Sequence, residues 1–183
     1  MPPGHVPIYL FVSQFTMIIG TKNIFAIEWY HEPIGEKDHL VFGRMCLWIN
    51  NAVLGDINNK MCALSVSRVH LVHKQNVSNQ NIDSHLNGLS DWECFDYLNQ
   101  KLYLDESRTD EQISDDAKTY SKFDFLTNGG ESFDHTKSFI VSDKGVIRIL
   151  WTDRHRVFHS GDVDASEYYR VINPWISWCG EIG

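Results

Sequence analysis

Nowhere does the chain carry the ~20 consecutive apolar residues that a membrane-spanning helix requires. It also lacks a basic excess, because 24 Asp and Glu stand against 16 Lys and Arg for a formal charge of −8. Nucleic acids and anionic membranes both need a basic footprint, so neither is an expected partner. The four cysteines, Cys46, Cys62, Cys94 and Cys179, are widely scattered and form no CxxC pair. Cys46 and Cys94 sit within apolar patterns, where a thiol behaves as a small hydrophobe. The set fits a reducing cytoplasm better than a disulfide framework. There is no G-x-S-x-G, P-loop or G-x-G-x-x-G, which removes the familiar nucleophile elbow and phosphate cradles. Gly129-Gly130 is too short and too acidic in context to hold a phosphate. No repeat, low-complexity tract or cofactor motif is present.

What the chain does have is a core. Its 183 residues are 43% hydrophobic and include six Trp, seven Tyr and ten Phe. That is enough for one domain without staples. The segment Ile8 to Phe15 is apolar, but no Lys or Arg precedes it and no small-residue cleavage site follows. Met17 opens directly into a strand-like run, so Met1 to Thr16 is expected to be an extension and residues 17–183 the domain.

Hydrophobic alternation predicts strands over Ile24 to Tyr30 and Leu40 to Asn50, a reversal at Asn50-Asn51, and a third strand from Val53, together an antiparallel meander. Cys62 to Lys74 leans towards helix through Leu64, Ser67, Leu71 and Val72, and polar Gln75 to Gly88 reads as loop. Ser90 to Leu104 carries an S-x-x-E capping signature and a predicted buried stripe of Trp92, Phe95, Leu98 and Leu102. Ser138 to Trp151 is a hairpin turning at Asp143-Lys144-Gly145. Ala165 to Cys179 is a helix capped by Asp164 and interrupted at Pro174, with Tyr168, Tyr169, Trp175 and Trp178 covering a sheet. The expected class is α+β, mostly antiparallel sheet with packed helices.

Charge is unevenly distributed. Residues 91–134 hold twelve acidic and four basic side chains, so this stretch alone accounts for the net −8. Within the acidic segment, 105–134, the densest part is Asp105, Glu106, Asp110, Glu111, Asp115 and Asp116, with Arg108 as the sole counter-charge. A solvated loop and a face that steers cationic partners are both consistent with that clustering.

Two histidine groups invite chemistry. His70 and His73 would share a helix face, but no third ligand or HExxH accompanies them, which favours a structural or solvated pair over zinc. Arg154, His155, Arg156 and His159 form the only basic cluster, placed after the last predicted strand. With Asp153 and Asp162 they could make an acid–base centre, although loop charges or partners for the acidic segment are the preferred reading.

The stretches MIIGTKNIFAIEW (Met17 to Trp29), LVFGRMCLWINNAVLGD (Leu40 to Asp56) and KSFIVSDKGVIRILW (Lys137 to Trp151), with the Trp-containing tail, resemble immunity-protein family 42. Members are antidotes encoded beside toxins of bacterial polymorphic and contact-dependent growth inhibition systems. The resemblance runs from Met17 to the C-terminus, loosely through Asn58 to Phe133. It rests on strand and turn sequences, so it implies no catalytic residue, no metal and no enzyme. What it implies is a cytoplasmic stoichiometric inhibitor of a cognate toxin C-terminal domain, expected to be a basic nuclease. On that reading the contact face is Asp105, Glu106, Asp110, Glu111, Asp115 and Asp116, with Tyr103, Tyr120 and Phe123 as aromatic anchors. The alternatives are a small hydrolase using the His155, His159 and Asp162 region, and an acidic adaptor that docks a basic partner without inhibiting it.

Overall fold

The computed structural model describes residues 16–32, 40–59, 61–104 and 108–182. The expected extension therefore lies outside the described residues, apart from Thr16. The opening third is the predicted meander, in the order β1 (Met17–Thr21), β2 (Phe25–Glu32), β3 (Phe42–Ile49) and β4 (Ala52–Leu54). A short β5 (Cys62–Ala63) pairs with the start of β3. The β3–β4 reversal uses Asn50 and Asn51 at φ of 50° and 68°, the left-handed geometry that a two-residue hairpin demands and Asn tolerates. Pairing in register places Phe25, Ile27 and Trp29 beside Ile49, Leu47 and Met45 on the buried face.

A second antiparallel sheet contains β6 (Lys137–Asp143), β7 (Val146–Thr152) and β8 (Phe158–Asp164). The predicted hairpin turns at Lys144 and Gly145, both at positive φ. β8 corrects the sequence reading, which placed the basic cluster beyond the last strand. Its FHSGDVD sequence has one buried residue, Val163, and so no apolar alternation to read. Seven backbone partners, from Val146↔Asp164 to Thr152↔Phe158, nevertheless hold it on β7.

Helices cover the sheets. α1 (Leu64–Val72) forms as expected, whereas Gln75 to Gly88 is not plain loop: it contains the single-turn helices α2 (Val77–Gln80) and α3 (Ser84–Asn87). One turn is too short to show a period. Buried Val77 and Leu86 anchor these turns, and the Asp83 carboxylate accepts hydrogen bonds from the amides of His85 and Leu86. α4 (Asp91–Tyr103) starts at the predicted Ser90/Glu93 capping box. Its buried stripe is Cys94, Phe95 and Leu98, with Leu102 partly buried, while Trp92 is 54% exposed, contrary to expectation. An eleven-residue helix, α5 (Asp110–Tyr120), occupies the acidic segment. The last helix, α6 (Ala165–Glu181), is capped by Asp164 but runs straight through Pro174. Burial of Tyr168, Val171 and Ile172 before the proline, and of Trp175, Ile176 and Cys179 after it, outweighs the ~3 kcal/mol that an interior proline costs.

The second sheet is covered on both faces. Ile140, Ile149, Trp151 and Val163 join Phe25, Leu47 and Trp175 in the main core. Trp151 Nε1 ties the sheets together by donating to the Val53 carbonyl at 3.1 Å. On the opposite face Phe139, Val141 and Leu150 pack beneath α4 with Phe95, Leu98 and Phe123. α6 lies on the first sheet, with Tyr168 stacked on Phe25 at 5.4 Å and Trp178 against Trp29 at 5.0 Å. The class is α+β, as predicted. No helix among the described residues is long and apolar enough to cross a membrane.

Candidate functional site

The acidic segment is organised by α5. Thr109 Oγ1 accepts from the Gln112 amide at 3.2 Å, and Gln112 Oε1 accepts from the Thr109 amide at 3.0 Å. This T-x-x-Q capping box is legible in the sequence and was the missed signal for the helix. Asp110 and Glu111 fall in the first turn, at the positive end of the helix dipole.

No residue of α5 is buried. It docks on α4 largely through polar groups. The hydroxyls of Tyr97 and Tyr120 are 2.7 Å apart. Asp116 accepts from Arg108 Nη1 at 2.9 Å and from Lys101 Nζ at 3.2 Å, and the Lys101 ammonium also lies over the Tyr97 and Tyr120 rings.

The nine expected contact residues therefore separate. Asp110, Glu111 and Asp115 are exposed on α5. Asp115 pairs with Lys118 at 2.9 Å, but both are well exposed, and such pairs are worth about 0–1 kcal/mol. Asp116, expected to face outward, is engaged internally as the bridge that holds α5. Tyr120 is half-buried at the same junction. Half-buried Tyr103 donates to Asp124 Oδ1 at 2.9 Å beneath the Lys137 ammonium. Burial first, and the Asp124 carboxylate second, push the Tyr103 phenol well above its ordinary range. Phe123 corrects the expectation of an anchor. It has no exposed surface and belongs to the core under α4. Asp105 and Glu106 lie outside the described residues.

An open groove of about 760 Å³ runs beside the two ends of α4. Trp92, Phe95 and Tyr103 supply aromatic surface, and Lys137, Arg154 and Arg156 supply positive charge. It was not legible as a site beforehand: Trp92 reads as a core residue, and the basic cluster of Arg154 and Arg156 is turned onto the groove by the pairing of β8 with β7.

The histidine groups do not converge. His159 and Asp162 lie three residues apart on β8, and strand alternation sends them to opposite faces. His159 stacks on Trp151 at 5.3 Å with its Nε2 3.5 Å from Asp153. Asp153 is a turn former whose carboxylate accepts from the amides of His155 and Val157. His155 is exposed beside Arg154. Elsewhere, His70 places Nδ1 3.3 Å from the Phe125 carbonyl. Among the described residues no group of three or more His, Cys, Asp or Glu side chains is arranged to hold a metal ion.

Fold and surface together define a small α+β domain that displays a charged helical face from a rigid two-sheet body. The chain belongs to the immunity protein 42 family, whose model matches residues 17–178. Its fold is similar to that in the crystal structure of CdiI from Burkholderia dolosa AUO158, with a TM-score of 0.56 and 15% sequence identity. That match covers 88% of this chain and 99% of the other. No curated protein matches.

Proposed function

We propose that this chain neutralises a cognate toxin domain in the cytoplasm by forming a stoichiometric complex with it, and that the toxin is a basic nuclease met by the acidic strip on α5. Family membership supports the toxin partner. The observation that carries the face is the division of labour within α5. One acid, Asp116, docks the helix, while Asp110, Glu111 and Asp115 remain exposed on an element that buries no residue of its own. Asp110 and Glu111 favour the helix dipole and Asp115 meets Lys118, but none contributes to the core, and together they present an anionic strip suited to a partner of opposite charge.

A nuclease surface is basic because it holds phosphates. Complementary charge can raise association from roughly 10⁵–10⁶ to 10⁸–10⁹ M⁻¹s⁻¹ at low salt, and an antidote must capture its toxin before substrate does. Inhibition on this reading is occupancy of the toxin, with no turnover and no cofactor. The test is co-expression in bacterial cells with the toxin domain encoded beside it. Survival, with co-purification of the two chains in equal amounts, is the expected outcome. Death of the cells despite soluble expression of both chains would contradict it.

A further inference from the structure

The groove beside α4 combines exposed aromatic surface with positive charge. Among the described residues six non-glycine residues adopt positive φ, and Asn50, Asn51 and Lys144 belong to two-residue hairpin turns. The other three, Asn128, His135 and Arg156, line this groove from turns closed by the Gly129 amide on the Leu126 carbonyl, the Thr136 amide on the Phe133 carbonyl and the Arg156 amide on the Asp153 carbonyl. Left-handed backbone is what such turns ask for, and it sets where these polar side chains stand on the groove wall.

The walls are unusual in what they leave exposed or unpartnered. Trp92 stacks on Phe95 at 5.8 Å and meets Phe158 edge-on at 5.3 Å while staying largely exposed. Leu104 adds a second exposed apolar surface. Asn99 Oδ1 is buried in the wall with no hydrogen-bond partner among the described residues, leaving an acceptor for an incoming N–H. Lys137 and Arg156 have no carboxylate partner among the described residues, and Arg154 reaches Asp56 only at 3.5 Å with both groups exposed.

We infer that this groove seats an extended, acidic segment of the toxin, with an apolar side chain against Trp92 and Leu104 and a carboxylate between Arg154 and Arg156. The inference rests on the toxin-binding reading above. A peptide segment supplies both partners the groove asks for, an apolar side chain for Trp92 and Leu104 and a carboxylate for the arginines, whereas a bare phosphate chain supplies only the charge. The two faces then divide the task. The α5 strip attracts a basic toxin of any kind, while a patch of opposite sign fixes orientation and rejects basic partners that lack the matching segment.

The test measures binding of the purified toxin domain to immobilised full-length protein at ~0.15 M salt. R154E/R156E and Trp92→Ala are each expected to raise Kd at least tenfold, mainly through faster dissociation. R154K/R156K should keep most of the affinity. All three positions are on the surface, and thermal melts confirm that each variant is folded. Wild-type affinity in the first two variants, or faster association in R154E/R156E, would overturn the groove assignment while leaving the α5 reading intact. So would wild-type binding of a single-stranded oligonucleotide that R154E/R156E abolishes. Absence of any wild-type complex with the toxin would overturn both.

Discussion

Between about pH 9 and pH 12 the protein is expected to unfold, driven by thiols that its core cannot accommodate as thiolates. Cys46 and Cys94 have no exposed surface, and Cys179 has almost none. Burial pushes these groups up from 9.0, Cys46 to about 12 and the other two to about 11, and it raises Cys62 as well. Their folded pKa values lie above the unfolded one. The stability they contribute is therefore complete below pH 9 and is lost as pH rises towards 11 and 12. At about 1.4 kcal/mol per pKa unit, each of the three is worth roughly 3–4 kcal/mol across that window, against a typical net stability of about 5–15 kcal/mol.

Lys74 works in the opposite direction. Burial lowers its ammonium from 10.5 to about 8, so between those values the unfolded chain binds the extra proton and stability rises with pH. Lys137 is lowered too, but two lysines only partly offset four thiols, which are joined above pH 10 by the raised Tyr103, Tyr120 and Tyr168 phenols. Circular dichroism with denaturant titrations at each pH should show stability falling steeply above pH 9. The C46A/C94A double variant is expected to be less stable at pH 7, from the small cavities left, yet to fall clearly less between pH 9 and 11. An unchanged slope would show that the thiols do not drive the transition.

The second large effect concerns rate. The triple variant D110K/E111K/D115K is expected to associate with the toxin at least tenfold more slowly at low salt, with a smaller change in dissociation. The difference should shrink near 1 M salt, where the screening length is about 3 Å. Asp116 is left out because its reversal would cut the bridges to Arg108 and Lys101 and release α5. Lysines in the first turn also oppose the helix dipole, by roughly 0.3–1 kcal/mol each. A neutral set, D110N/E111Q/D115N, controls for this and should give an intermediate rate. Equal rates for all three proteins, with binding intact, would remove the α5 strip from the interface.

Much of this molecule was legible in the sequence because burial leaves a period. Phe25, Ile27 and Trp29 alternate on a strand, Ser90 and Glu93 cap a helix, and Asn50-Asn51 can form only a few reversals. What was missed follows from signals that are local or tertiary. β8 contributes one buried side chain and is held by backbone pairing to β7, which no pattern in FHSGDVD announces. α2 and α3 are single turns fixed by Val77, Leu86 and the Asp83 cap. α6 crosses Pro174 because aromatic burial on both sides outweighs a local rule. The exposure of the candidate face was read in part. Excess charge pointed to Asp110, Glu111 and Asp115, but composition could not separate Asp116, bound to Arg108 and Lys101, from its exposed neighbours. Phe123 and Trp92 were assigned opposite environments from those they occupy, because adjacent aromatics in a chain look alike until packing chooses between them.

The most direct measurement is a titration of toxin activity against this protein at toxin concentrations far above Kd, with complex formation followed in parallel by calorimetry. Nuclease activity is expected to fall linearly to near zero at one equivalent, with a calorimetric stoichiometry of one. Full toxin activity in the presence of several equivalents of folded protein, with no heat of binding at low or high salt, would contradict it.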